Sequence, residues 1–241
     1  MKNIVLFVLF IIALVLFQFT SAQSVDDVIK QYIKERGGID KINAIQSIYF
    51  EGTREMMGSA LMIKVTKVEN KLLRTDFEFG GSPGYTIITP DKGWTLLSSQ
   101  SDKPSELPSN VFKAMRNQLD IAGHLVNYKA KGYTAELKGK ENINGKEAYT
   151  VVLTNMEGIE STYFIDTNSK LLLQSRQVIE GGKDSATQPP ELKTNYSDYV
   201  EVNGVKFPQT AFTEGGGMGE STLRFTKIEA NISVDEKLYH P

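Results

Sequence analysis

The sequence predicts a mainly β, α+β fold: about eleven antiparallel strands in a sheet curled around a few amphipathic helical pieces. Three observations predict it. Apolar residues alternate with a period of two over most of the chain beyond residue 47. Asn-Gly, Gly-Gly and Pro-containing stretches punctuate those runs as turns. Helical spacing is confined to a segment after residue 23 and another near residue 112.

Residues 1–22 read as an address and not as part of the fold. Lys2 supplies a positive start, Ile4 through Phe17 are all apolar, and Thr20-Ser21-Ala22 ends in small residues. This is the three-part plan of a cleaved secretory signal peptide, and the apolar run is too short for the roughly 20 residues of a spanning helix. Cleavage after Ala22 leaves residues 23–241 as one domain. With no cysteine at the cut, that chain has no site for a lipid anchor there.

The first mature element is a helix over residues 24–36. Ser24 is placed to cap it, Asp26 and Asp27 suit its positive end, and Lys34 and Arg36 its negative end. Val25, Ile29, Tyr32 and Ile33 share one face, and Gly37-Gly38 supplies the stop. A second short turn, residues 39–46, presents Ile42 and Ile45 in the same way. The period then changes to two. Ile48/Phe50, Leu61/Ile63/Val65, Leu73/Phe77/Phe79, Tyr85/Ile87 and Trp94/Leu96 mark a five-strand meander.

Pro104 and Pro108 bound a polar loop, after which Ser109 or Asn110 can cap a helix over residues 111–119 with Phe112, Met115 and Leu119 on one face. Residues 121–128 are read as a continuation of this helical insertion. Six or seven further strands follow, from Tyr133 to Phe225. Asn144-Gly145 and Asn203-Gly204 are two-residue hairpin turns, since both positions tolerate positive φ. Residues 181–190 and 215–219 are the least patterned stretches.

Composition excludes several functions. The net charge is −2, and no basic stripe exists to follow a phosphate backbone, so nucleic acid is not expected as a partner. Without cysteine there are no disulfides, thiolate metal sites or thiol nucleophiles, and with two histidines no histidine-rich centre. The G-x-S-x-G pattern occurs once, at Gly80-Gly81-Ser82-Pro83-Gly84, but it falls at a turn between strands and not at the strand-to-helix corner a nucleophile elbow needs. An esterase-like enzyme is therefore a remote reading, and neither catalytic residues, metal nor cofactor is expected.

A binding site is expected instead. A sheet with one apolar face must cover it, and an incomplete fit between sheet and helices leaves an apolar cavity. The candidate ligand-binding wall and lid are Leu61, Ile63, Phe77, Phe79, Trp94, Leu96, Phe112, Met115 and Leu119, with Met56, Met57 and Met62 adding adaptable side chains. The competing reading is a structural or protein-interaction module filled by its own side chains.

Several stretches, in order, resemble the LolA-like outer-membrane lipoprotein-sorting proteins, in their diverged Bacteroidetes-type form. They are the Gly-Gly-ended helix, Ile45-Gln46-Ser47-Ile48-Tyr49-Phe50-Glu51-Gly52, Asp91-Lys92-Gly93-Trp94, Tyr163-Phe164-Ile165-Asp166, Asn203-Gly204-Val205-Lys206-Phe207-Pro208 and Glu229-Ala230-Asn231-Ile232. The resemblance implies an open antiparallel β-barrel of about eleven strands with lid helices over an apolar cavity. It also implies a soluble, monomeric periplasmic carrier of lipoprotein acyl chains or phospholipid, served by inner- and outer-membrane sorting partners. The family's arginine–proline pair before the third strand is missing. The chain reads Lys67-Val68-Glu69-Asn70-Lys71 there, so the lid-gating role of that arginine is not carried over.

Overall fold

The computed structural model describes residues 23–56, 58–178, 191–215 and 219–241. The expected signal peptide, Met57, residues 181–190 and the centre of the 215–219 stretch lie outside them. No helix among the described residues is long and apolar enough to cross a membrane.

Helix α1 (Val25–Arg36) forms as its sequence dictates. The Ser24 hydroxyl accepts from the Asp27 amide at 3.1 Å and donates to the Asp27 carboxylate, while Gly37 and Gly38 donate back to Lys34 and Ile33. The short α2 (Ile39–Asn43) follows, with Ile42 and Ile45 buried. Helix α3 (Ser109–Arg116) starts two residues earlier than the spacing predicted. The Pro108 carbonyl accepts its first bond from Phe112, and a 3-10 turn over Asn117–Leu119 continues it.

Residues 121–128 are not a helix. Gly123 (φ +83°) and Asn127 (φ +55°) take the left-handed conformation, which breaks helical propagation into a series of turns.

Thirteen strands among the described residues make one antiparallel sheet. They are β1 (Ser47–Met56), β2 (Ser59–Val68), β3 (Leu72–Phe79), β4 (Ser82–Ile88), β5 (Gly93–Leu97), β6 (Ser105–Glu106), β7 (Thr134–Ile143), β8 (Lys146–Thr154), β9 (Glu160–Asp166), β10 (Leu172–Val178), β11 (Glu191–Val202), β12 (Val205–Gly215) and β13 (Ser221–Ala230). The strand absent from the sequence reading is β6, two residues inside what reads as a polar loop. Both Asn-Gly hairpins form as predicted, with all four residues at positive φ.

The spatial order is β6-β5-β4-β3-β2-β1-β13-β12-β11-β10-β9-β8-β7. This overturns the expected open β-barrel of about eleven strands curled around lid helices. The structure is a thirteen-stranded open sheet, not closed into a barrel and not strongly curled, whose edges β6 and β7 do not pair. Closure would require those edges to share a ladder. The edge at β6 is only two residues long and lies between Pro104 and Pro108, which lack the amide hydrogens needed to extend it.

The connection between the two edges, residues 107–133, covers the sheet instead. Leu107, Phe112, Met115 and Leu119 pack on β2–β4; Ile121, Ala122 and Val126 pack on β1 and β12 beside Ile42; Leu125 and Tyr128 pack on β8–β10 beside α1. Three successive apolar clusters therefore lie under one crossing strap and two helices. On the opposite face Leu72 and Ile87 are fully buried, and the C-terminal 3-10 turn (Glu236–Tyr239) rests against β3, where Arg74 donates to the Leu238 carbonyl.

Candidate functional site

The two longer helices sit on the sheet differently. Helix α1 buries Val28, Ile29 and Tyr32 almost completely. Helix α3 is amphipathic yet has no buried residue: its apolar side chains Phe112 and Met115 are half-buried. They meet a floor of buried Ile63, Val65, Leu73, Ile88 and Leu119, ringed by half-buried Phe50, Leu61, Phe77, Leu223 and Phe225. Phe50 and Phe225 lie with ring centroids 4.6 Å apart. The candidate site is this apolar floor with a lightly seated helix above it.

Register divides the nine residues expected to line the cavity. Pairs Ile63↔Phe77, Phe77↔Gly84, Leu73↔Ile88 and Ile88↔Gly93 share the face beneath α3. A Cβ at Gly93 would touch Leu107, Ile88 and Phe112, which fixes the orientation of β5. Leu61, Ile63, Phe77, Phe112, Met115 and Leu119 come together there. Phe79 follows Phe77 on the same face at the rim, 51% exposed. Trp94 and Leu96 alternate to the other face, with Trp94 opposite the buried Ile87 and Leu96 opposite Tyr85. Met62 also points away and is exposed, and Met56 is half-buried near the end of β1.

The sequence reading did not name Phe50, Leu223 and Phe225 as wall residues. They join the site because β1 pairs with β13, which brings the first and last strands together. Their signal was their place in apolar alternating runs; the pairing that makes them neighbours was not visible.

A polar set also escaped the sequence reading, because its members lie far apart along the chain. The Ile121 amide donates to Glu69 Oε2 at 2.7 Å, and the Asn70 amide to the Leu119 carbonyl at 3.1 Å. Lys67 Nζ donates to the Gln118 carbonyl at 3.1 Å, and Arg36 donates to the carbonyls of Ala122 and Ile121. Lys131 pairs with Asp120 at 2.6 Å. These groups clamp the strap where it leaves α3. Burial pulls Lys67 down to about 8 against the pull of Asp120 and Glu69, and burial raises Glu69 above the ordinary carboxylate range.

Among the described residues, the serine, histidine and acidic candidates do not converge on one site. Ser82 lies in β4 after the Gly80-Gly81 turn. His124 is engaged by the Tyr163 hydroxyl at 3.0 Å and the Asn117 carbonyl at 3.3 Å, and burial lowers its pKa. Asp26 binds the Tyr128 hydroxyl and Lys129 and forms no carboxylate pair. Among the described residues no group of three or more His, Asp or Glu is placed to hold a metal.

No family model matches the sequence, and no curated protein matches it either. Solved structures do resemble the fold. A DUF1329 family protein from Desulfovibrio piger matches with a TM-score of 0.60 at 14% identity, over 91% of this chain and 98% of that one. A putative outer membrane lipoprotein-sorting protein domain from Vibrio parahaemolyticus gives 0.59 at 10% identity, over 88% and 94%. A LolA superfamily protein from Nitrosomonas europaea gives 0.56 at 13% identity, over 91% and 99%. The fold is LolA-superfamily-like.

Proposed function

From a LolA-superfamily-like fold whose α3 rests lightly on an apolar floor, we propose that residues 23–241 form a soluble periplasmic carrier, a diverged relative of the lipoprotein-sorting proteins. It holds acyl chains of lipoproteins or of lipid between α3 and the β1–β4 and β13 floor and passes them toward the outer membrane. Residues 1–22 are its export signal. The observation that supports this reading most directly is the absence of any buried residue in α3 above a floor rich in half-buried aromatic and aliphatic side chains. A helix that only packs a core buries its apolar stripe, as α1 does.

The chemistry required is burial alone. Each methylene transferred from water contributes about 0.8 kcal/mol, so a long acyl chain can displace a helix that is itself only partly desolvated. The strap clamped by Glu69, Lys67 and Arg36 stays in place as α3 moves, because its contacts begin at Gln118, past the end of α3.

Met115→Asp and Phe112→Asp test the proposal. Both side chains are half-buried on α3, so the β-sheet circular dichroism should remain while uptake of a fluorescent acyl probe falls about tenfold or more. Native mass spectrometry of residues 23–241, purified without detergent from the exported compartment, should show added lipid or acylated peptide. A bare mass after exposure to phospholipid and triacylated peptide, or undiminished uptake in both variants, would leave the self-filled interaction module.

A further inference from the structure

A second apolar depression lies on the outer side of the helical layer, away from the floor beneath α3. It is an open groove of about 670 Å³ between α1, the start of α2 and residues 125–130, within the size range of small-molecule sites. Ile29, Ile33, Leu125 and Tyr128 form its base, and Ile39 stands exposed at one end. Its rim is basic. Lys30 and Lys34, one helical turn apart, both border the groove, and no carboxylate of the described residues lies within 4.0 Å of either ammonium. Lys129, also on the rim, is already paired with Asp26 at 2.7 Å.

We infer that this groove binds a single-chain anionic amphiphile, the acyl chain lying along the isoleucine base and the anionic head between Lys30 and Lys34. Charge complementarity selects the head: Lys30 and Lys34 set two ammonium groups beside an apolar trough, with no carboxylate of the described residues within 4.0 Å of either. The apolar base selects the tail. An extended acidic peptide is a poorer occupant, because α1 satisfies its own backbone and leaves no ladder for a peptide to join. The site is separate from the carrier floor and does not depend on the carrier reading.

The test uses residues 23–241 and dodecanoate carrying a photoreactive group at the chain end, with dodecanol as the neutral control. Labelling should fall on α1 and residues 125–130, and binding should weaken as salt is raised. The double variant Lys30→Glu/Lys34→Glu, exposed and without structural partners, should bind dodecanoate about tenfold more weakly while dodecanol is unaffected. Ile39→Asp should weaken both ligands. Labelling confined to α3 and β2–β4 would overturn the groove while favouring the carrier floor. Equal dodecanoate affinity in the double variant overturns the inference, and so does binding only to anionic vesicles or acidic peptides with no labelling in the groove.

Discussion

Glu69→Ala tests how the strap is held to the sheet. Glu69 Oε2 accepts the Ile121 amide at 2.7 Å, and Ile121 is only 9% exposed, so removing the carboxylate leaves a nearly buried N–H without a partner. A hydrogen bond to a charged acceptor contributes about 1.5–3 kcal/mol. Part of the loss is offset, because the burial that raises the Glu69 pKa is relieved with the side chain. The net cost is about 1–2 kcal/mol, and at a slope of about 2 kcal/mol/M the urea midpoint should fall by roughly 0.5–1 M with the slope unchanged. Hydrogen exchange at the Ile121 amide should quicken more than exchange in β8 or β9, which lie away from the strap's anchor. Glu69→Gln, which keeps an acceptor, should lose less than half as much. A Glu69→Ala midpoint equal to wild type, with the Ile121 amide still protected, would show that the clamp is incidental and that apolar packing alone seats the strap.

Lys67→Met should change the pH dependence of stability. Burial lowers the folded pKa of Lys67 to about 8 from the ordinary 10.5, so between those values the unfolded chain binds more protons and wild-type stability rises with pH. The variant should lack that rise. Urea midpoints between pH 7.5 and 9.5 avoid the tyrosines: buried Tyr163 and Tyr199 have raised pKa values and act in the opposite direction above about pH 10. Gly52→Ala should cost about 3 kcal/mol or more, because its Cβ would lie 2.1 Å from the Arg224 carbonyl oxygen at the β1–β13 seam. A thermal midpoint within about 2 °C of wild type would refute that.

Much of the chain was legible locally. The Ser24 cap, the acidic first turn and the Gly-Gly stop delimit α1, and the two Asn-Gly pairs place their hairpins, because these signals act between residues a few positions apart. Strand β6 was not legible, since two residues between prolines carry no period. Residues 121–128 misled for the converse reason: their apolar spacing suits a helix, while Gly123 and Asn127 turn the backbone left-handed. Their apolar side chains are buried all the same, held by turns that wrap the sheet.

Within the candidate site, alternation along β3 and β5 was visible, but the direction each parity faced was not. Trp94 and Leu96 look like wall residues because they are large apolar side chains of β5 two positions apart, but they take the parity opposite Gly93, which faces Phe112 of α3. The sequence alone determined which stretches are strands apart from β6, which helix is capped, and that the chain has no thiol. Only the tertiary structure decided that the sheet stays open, that the edge-to-edge connection becomes its cover, and that Lys67, Glu69 and Arg36 converge on that cover. Propensity and period are properties of neighbours along the chain, whereas strand order and register are set by which distant surfaces bury one another best.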